Sequence, residues 1–153
     1  MLLTIEKVFI LKSVSIFARI PEEALIDAAA VVEEVECSAG TVVVRKGEMG
    51  TSMYVVVEGR VRVQDEATVL GEMTAGELFG ELSALDPKPR SATVTAVEDA
   101  YLFKMSQQSI YELMAQHSEL AQGIIQVLCQ RIRDCPKFMR PPEPAYAEGA
   151  PPA

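Results

Sequence analysis

The sequence predicts an α+β domain: an antiparallel β-barrel or jelly roll of about eight strands, flanked by N-terminal helices and two C-terminal helices. Three observations lead to this prediction. Apolar residues recur with helical spacing over residues 3–31, with strand-like spacing over 32–105, and with helical spacing again over 106–134. Short β-branched segments inside 32–105 are separated by glycine turns, as in sandwiches and barrels. Residues 135–153 are rich in proline and are predicted to form a disordered tail.

The N-terminal region is expected to form two helices that pack together. Residues 3–13 carry apolar side chains at helical spacing. A second helix is predicted to begin at Pro21-Glu22-Glu23 and to continue through residue 30. Proline fits the first turn of a helix, and acidic residues suit its positive end.

The central region reads as a series of short strands. Its clearest predicted hairpin joins 53–57 to 60–63 through Glu58-Gly59, because polar and apolar residues alternate strictly after the turn. Arg60 and Arg62 are assigned to the solvent face of that hairpin. The predicted strands are 42–44, 53–57, 60–63, 68–73, 91–97 and 100–105.

Two helices are predicted at the C-terminal end of the domain. Ser106 is expected to cap a helix over 107–116, and Ser118 to cap a longer one through residue 132. His117 lies at the turn between them and is expected to be solvated. The apolar stripe of the longer helix suits a core contact, a lid or a dimer seam, so a homodimer through this helix is an open alternative.

Composition excludes several classes of protein. A net charge of −8 argues against gripping nucleic acid by charge. No apolar run reaches the roughly 18 residues of a membrane span. Three scattered cysteines argue against a disulfide framework and favour a reducing cytoplasm. With one histidine, a metal-dependent barrel enzyme is disfavoured, so we predict no catalytic residue, no metal site and no cofactor.

The stretch from Phe79 to Val94 has the parts of a small anion pocket. A helical turn is expected to start at Gly80, directly after a strand, and its free backbone N–H groups attract an anion. Arg90 adds a guanidinium that can bind two phosphate oxygens. Glu81 only accepts hydrogen bonds when ionised, which suits a sugar hydroxyl. Together they describe a pocket for a nucleotide with a single phosphate, although Glu81 and Arg90 also fit a structural ion pair.

Two segments of this stretch resemble the phosphate-binding cassette of cyclic nucleotide-binding domains. They are Phe79-Gly80-Glu81-Leu82 and Pro89-Arg90-Ser91-Ala92-Thr93-Val94, and their separation matches that of the family without a gap. The resemblance extends over about residues 10–134. It implies a regulatory module of the kind found in cyclic-AMP-dependent protein kinase regulatory subunits and the catabolite activator protein. It also implies a ligand that is a cyclic nucleotide, with no enzymatic activity.

The resemblance assigns a role to each position. Glu81 would accept from the ribose 2′-hydroxyl, and Arg90 would pair with the exocyclic phosphate oxygens. Backbone N–H groups near Gly80, Leu82, Ser83 and Ala92 would complete the anion site. The base and ribose would contact apolar walls, and the last helix would close as a lid. The wall residues are Val63, Val69, Leu70 and Met73, and the lid candidates are Leu128, Arg131 and Ile132.

Ser91 bears on the choice of ligand. A threonine there favours cyclic GMP in some family members, whereas a serine occurs in bacterial cyclic-AMP receptors. The resemblance therefore favours cyclic AMP and leaves cyclic GMP open. The helix-turn-helix of the family's transcription factors is missing after residue 134, so no contact with DNA is expected. The alternative function is a degenerate domain that binds no nucleotide and serves as a protein interaction module.

Overall fold

The computed structural model describes residues 1–80 and 85–134. Cassette residues 81–84 and the predicted tail 135–153 lie outside the described residues. The helices are α1 (Thr4–Lys12), a short 3₁₀ helix (Ser15–Phe17), α2 (Glu22–Val31), α3 (Gln107–Gln116) and α4 (Ser118–Asp134). The strands are β1 (Glu33–Cys37), β2 (Val42–Val44), β3 (Ser52–Glu58), β4 (Val61–Asp65), β5 (Thr68–Met73), β6 (Leu78–Phe79), β7 (Thr93–Ala96) and β8 (Ala100–Ser106).

The eight strands form two four-stranded antiparallel sheets. The first has the order β1-β8-β3-β6, and the second has the order β2-β7-β4-β5. Strands that are neighbours in the chain are therefore mostly separated in space, as in a jelly roll. The predicted jelly roll of about eight strands is confirmed, and the sheets are not closed into a barrel.

The predicted hairpin between 53–57 and 60–63 is wrong. Strand β3 pairs with β8 on one side and β6 on the other, so both of its edges are occupied. The chain leaves β3 at Glu58 and crosses to the other sheet, where β4 pairs with β5 and β7. The true hairpin joins β4 to β5, with Asp65 opposite Thr68. Alternation of polar and apolar residues predicts a strand but does not identify its partner.

Strand β3 separates two hydrophobic clusters. Tyr54 and Val56 belong to the cluster between the sheets, which also contains Val61, Phe79 and Leu102. The alternate residues of the strand, Met53 and Val55, belong to the helical cluster on the outer face of the first sheet. This second cluster holds apolar residues from all four helices, so the N-terminal and C-terminal helices share one core. The structure therefore has three layers: helices, first sheet and second sheet.

The ends of the C-terminal helices follow the sequence closely. Ser106 caps α3 as predicted, since its side chain accepts a hydrogen bond from the backbone N–H of Ser109. Helix α4 begins at Ser118 itself. In the described residues, no helix combines the length and the apolar content that a bilayer crossing requires.

His117 is not the solvated residue that the sequence suggests. Its side chain is 16% exposed, and its Nε2 atom lies 2.9 Å from a carboxylate oxygen of Asp27. Asp27 is on α2, which packs against α3. The contact therefore ties the N-terminal helices to the junction between α3 and α4, a long-range relation that local sequence does not contain.

Candidate functional site

Arg90 is the buried cation of this domain. It is 7% exposed, and its guanidinium donates to the backbone carbonyl of Ser52 at 2.8 Å and to that of Gly80 at 3.3 Å. Its backbone is also fixed, because its N–H donates to Glu48 O at 2.8 Å and its carbonyl accepts from Gly47 N–H at 2.9 Å. Side chain and main chain are thus both positioned by elements far away in the sequence.

The surroundings of Arg90 disfavour its charge. Burial lowers the pKa of its guanidinium below the ordinary value, and the nearby Tyr54 side chain opposes that shift. Arginine stays protonated all the same. Within the part of the chain that the structure describes, no carboxylate forms an ion pair with Arg90. A buried cation is unfavourable without a counter-charge, so the described part of the site is suited to an anion. The ion pair with Glu81 that the sequence also allows involves a residue outside the described ones.

Two glycines make room for the Arg90 side chain. Gly80 has a φ of +82°, and a Cβ added there would lie 2.7 Å from Nη1 of Arg90 and 2.9 Å from Ser52 O. Its conformation ends β6 and turns the chain at the place where the predicted anion loop begins. At Gly50 an added Cβ would lie 1.9 Å from Nε of Arg90. The guanidinium therefore lies directly against glycine backbone at both positions.

Arg90 faces a cavity of about 150 Å³ at the end of the jelly roll. Ser91 and Ala92 follow it along one wall, and the Phe79 ring forms another part of the lining. Phe79 stacks on Tyr54 with ring centroids 5.0 Å apart and planes 12° apart, which braces that wall. The complete described lining is Val44, Val63, Met73, Phe79, Gly80, Arg90, Ser91, Ala92, Val94 and Arg131.

The structure brings together most of the described residues that the sequence singled out. Anion-site residues Gly80, Arg90, Ser91 and Ala92 line this cavity, together with Val63, Met73 and Arg131. Glu81, Leu82 and Ser83 lie outside the described residues, so their roles stay predictions.

Four of the expected wall and lid residues lie elsewhere. Val69 and Leu70 are 53% and 57% exposed on β5 and do not line the cavity. Leu128 packs against the helical core, and Ile132 is 68% exposed. Val69 and Leu70 are on β5, the edge strand of the second sheet. Consecutive apolar residues in a sequence do not show which of them faces the cavity.

Arg131 links α4 to the cavity. Its guanidinium donates to the carbonyl of Leu78 at 3.1 Å. Although the residue as a whole is exposed, the protein around its guanidinium lowers its pKa through desolvation, and the charge of Glu77 opposes that shift. Arg131 also lines a neighbouring groove of about 640 Å³ between α4 and the 3₁₀ helix. Of the three lid candidates, Arg131 is the one whose side chain reaches the cavity.

Helix α3 contacts the predicted anion loop and the segment whose carbonyl holds Arg90. The hydroxyl of Tyr111 donates to the carbonyl of Leu85, five residues before Arg90. The backbone N–H of Gln107 donates to Thr51 O at 2.7 Å, next to the Ser52 carbonyl that holds Arg90. The C-terminal helices are therefore connected to the site by hydrogen bonds from two directions.

Sequence reasoning missed several contributors to the site. Val44 and Val94 line the cavity, Tyr54 supports it, and Gly50 and Ser52 hold the arginine. Val44, Tyr54 and Val94 fall in predicted strands, whereas Gly50 and Ser52 lie in the stretch between the predicted strands 42–44 and 53–57. Nothing in their local sequence distinguishes a cavity wall from a core contact. Among the described residues there is no cluster of three or more histidine, cysteine or acidic side chains suited to a metal ion.

A jelly roll with a glycine turn and a buried arginine that has no carboxylate partner among the described residues is suited to binding a small anionic ligand. Comparison with known proteins gives the particular family. Residues 34–117, more than half of the chain, match the family model described as "Cyclic nucleotide-binding domain". The chain belongs to the cyclic nucleotide-binding domain family.

Individual relatives agree with this assignment. The chain is 34% identical over 127 residues to a cyclic nucleotide-gated potassium channel of Rhizobium etli, a match that covers 82% of this chain and 35% of the channel. It is 26% identical to a CRP-like cAMP-activated global transcriptional regulator of Mycobacterium tuberculosis, covering 81% of this chain and 58% of the regulator. The chain thus spans about a third of the channel and somewhat over half of the regulator.

A solved structure shows the same fold. The catabolite activator protein of Thermus thermophilus superposes with a TM-score of 0.73 at 27% sequence identity. That match covers 78% of this chain and 59% of the Thermus protein. Domains of this family are regulatory and not catalytic, and enzymes that contain them carry their catalysis on other domains.

Proposed function

We propose that this chain is a sensor that binds cyclic AMP at Arg90 and passes the signal on through its C-terminal helices. The observation that carries the proposal is the charge state of the site. Arg90 is buried and positioned, and it lacks a carboxylate partner within the described residues. A cyclic phosphate supplies one negative charge and two free oxygens, which matches one guanidinium.

The other cavity residues support binding of the nucleoside part. Val63 and Met73 provide apolar walls, and Ser91 places a hydroxyl beside the arginine. Glu81 is proposed to accept from the ribose 2′-hydroxyl, as the family resemblance implies. We favour cyclic AMP over cyclic GMP because Ser91 is the residue of bacterial cyclic-AMP receptors, and because the Mycobacterium relative is named as cAMP-activated.

A conformational change follows from the size of the cavity. Its volume of about 150 Å³ is below the roughly 300–1,000 Å³ typical of ligand pockets. A nucleotide therefore requires the cavity to widen, and Arg131 on α4 is the residue of the described lining that a helix carries. We propose that α4 moves when the ligand enters. The ligand stabilises the new position only as far as it binds that position better.

Three further proposals concern the surroundings of the sensor. Ile125 and Ile132 are 58% and 68% exposed and lie seven residues apart on α4, a spacing that suits a two-helix seam. A homodimer through α4 is therefore proposed. Among the described residues, Cys37 and Cys129 are free thiols, which supports the proposal that the protein functions in a reducing cytoplasm. With a net charge of −8, the chain is proposed to contact no nucleic acid itself.

The test is calorimetric titration of the chain with cyclic AMP, cyclic GMP and linear 5′-AMP. We expect the tightest binding for cyclic AMP. Replacing Arg90 by Met should weaken it by at least about 100-fold, because a buried charge-assisted contact contributes on the order of 3 kcal/mol. Arg60→Met is the matched control, since Arg60 is a half-exposed arginine that pairs with Glu72 outside the cavity.

The titration also separates the alternatives. Binding of cyclic GMP that is tighter than that of cyclic AMP would contradict the choice of base and leave the site intact. Equal affinities of the wild type and Arg90→Met would refute the site. If no cyclic nucleotide releases heat or raises the melting temperature at millimolar concentration, the chain is the ligand-free interaction module instead.

A further inference from the structure

The first helix leaves a large part of its apolar surface uncovered. Leu11 on α1 is fully buried in the helical core, whereas Ile5 and Phe9 on the same helix are 63% and 72% exposed. Leu3, just before the helix, is 67% exposed. A helix that is apolar on more than one side is normally covered on each of them. One apolar face of α1 therefore lacks a covering partner among the described residues.

A groove runs beside this exposed face. It lies between α1 and α2, has a volume of about 240 Å³, and includes Val8, Ile20 and Leu25 in its apolar lining. A cavity of roughly 150 Å³ holds a benzene ring, so this groove has room for a phenyl side chain. Phe9 itself is exposed at the groove. The same surface thus offers a protruding aromatic ring and a cavity that fits one.

The charged residues of the groove are also complementary to each other. Lys12 on α1 and Glu22 on α2 both line it, and neither forms an ion pair within the described parts of the chain. A two-fold axis brings each residue of a patch opposite a different residue of the same patch. Lys12 can then face Glu22 of the partner subunit, twice per dimer, which fixes the register of the contact.

The available area suits a modest interface. The exposed parts of Leu3, Ile5 and Phe9 amount to on the order of 350 Å² of apolar surface, the size of the largest apolar patch on a typical monomer, which is often functional. With a polar rim, the total buried by two subunits reaches about 1,000 Å², at the lower end of specific interfaces. The contact is therefore expected to be concentration-dependent.

We propose that the α1–α2 surface binds a second copy of this chain across a two-fold axis. Phe9 of each subunit fills the α1–α2 groove of the other, and Lys12 pairs with Glu22 of the partner subunit. This surface is separate from the nucleotide cavity, whose described lining contains no residue of α1 or α2. It is also separate from the proposed α4 seam, which carries Ile125 and Ile132.

The test is sedimentation equilibrium of the full chain over a wide concentration range. The proposed α4 seam would add a second contact in the wild type, so the equilibrium is also measured in an Ile125→Ser background, where we expect only monomer and dimer. Phe9→Ser should raise the dissociation constant at least about tenfold, as is usual for a buried aromatic anchor. Leu70→Ser is the matched control, because it removes an equally exposed apolar side chain from β5, and it should leave the equilibrium unchanged. Urea unfolding of both variants checks that they fold.

Charge reversal provides a second measurement that does not depend on the aromatic residue. Lys12→Glu and Glu22→Lys should each weaken the dimer through like-charge contacts, and the double variant should restore it. The measurements are made at about 0.15 M salt, where the repulsion between two chains of net charge −8 is largely screened.

Three outcomes would overturn the proposal. One is a wild type that stays monomeric up to about 1 mM, well above the micromolar range expected of a weak specific contact. Another is a dimer that Ile125→Ser dissociates and Phe9→Ser does not, which would place the contact on α4. The third is a double charge reversal that is no better than the single ones, which would show that Lys12 and Glu22 do not meet.

Discussion

Replacing Gly50 by Ala tests whether the position of Arg90 determines ligand binding. The new Cβ would lie 1.9 Å from Nε and 2.2 Å from Cζ of Arg90, far inside van der Waals contact. The guanidinium must therefore move away from Gly50. In moving it loses hydrogen bonds of 2.8 Å to Ser52 O and 3.3 Å to Gly80 O.

The size of the effect follows from those two hydrogen bonds. A hydrogen bond to a charged group contributes about 1.5–3 kcal/mol, and partial replacement by other acceptors reduces the loss. We expect the free energy of unfolding to fall by about 1–3 kcal/mol. A displaced guanidinium no longer points at the phosphate, so affinity for cyclic AMP should fall by roughly 30–100-fold, since each tenfold step is 1.4 kcal/mol.

Gly71→Ala is the matched control. A Cβ at Gly71 meets nothing within 4 Å, and neither Gly71 nor Gly50 has a positive φ, so backbone strain does not distinguish the two substitutions. Both variants are measured by urea unfolding without ligand and by calorimetric titration with cyclic AMP. If Gly50→Ala unfolds and binds like Gly71→Ala, Arg90 does not lie against Gly50, and the account of the site given above is wrong.

Three other predictions concern contacts around the site. The 2.9 Å contact between His117 and Asp27 should stabilise the fold, so His117→Ala and Asp27→Asn should each lower the free energy of unfolding by about 1 kcal/mol. Urea unfolding of the double variant tests whether the two residues are coupled. Losses that simply add would refute the coupling. Tyr111→Phe removes the hydrogen bond to Leu85 O and should weaken cyclic AMP binding about fivefold in calorimetry, with α3 intact by circular dichroism. The pKa of Glu34 is held below its ordinary value, chiefly by the backbone N–H of Leu2 and next by the hydroxyl of Tyr101. Because the pKa of Glu34 is lower in the folded state, its carboxylate stabilises the fold at pH values above the unfolded-state pKa and loses this effect as the pH falls through the folded-state pKa. Glu34→Gln should therefore make the melting temperature fall less steeply at acid pH. A melting temperature that depends on pH as in the wild type would contradict this assignment.

Periodicity was sufficient to predict the layers of this fold. The change from helical to strand-like spacing and back again places the β core correctly, because burial on one face imposes its period on the sequence. It did not predict that β3 and β4 belong to different sheets. Strand pairing depends on which edges remain free after folding, and β3 has both of its edges occupied by β6 and β8.

The cassette illustrates the same limit for the site. Gly80 and Arg90 could be found because the chemistry of an anion site demands a glycine turn and a guanidinium. Val69 and Leu70 were expected at the cavity and are exposed on β5. Gly50 lies against Arg90, forty residues away in the chain. Such a contact has no local signature, whereas the turn at Gly80 has one.

The alternation of β3 between two cores has a consequence for evolution and for engineering. Successive residues of one strand serve different layers: Tyr54 stacks on Phe79 beside the cavity, while Met53 and Val55 pack against the helices. An insertion or deletion of one residue in this strand would exchange the two sets and damage cavity and helices at once. The two halves of the domain are thus expected to unfold together, so that ligand bound at one end slows hydrogen exchange at the other.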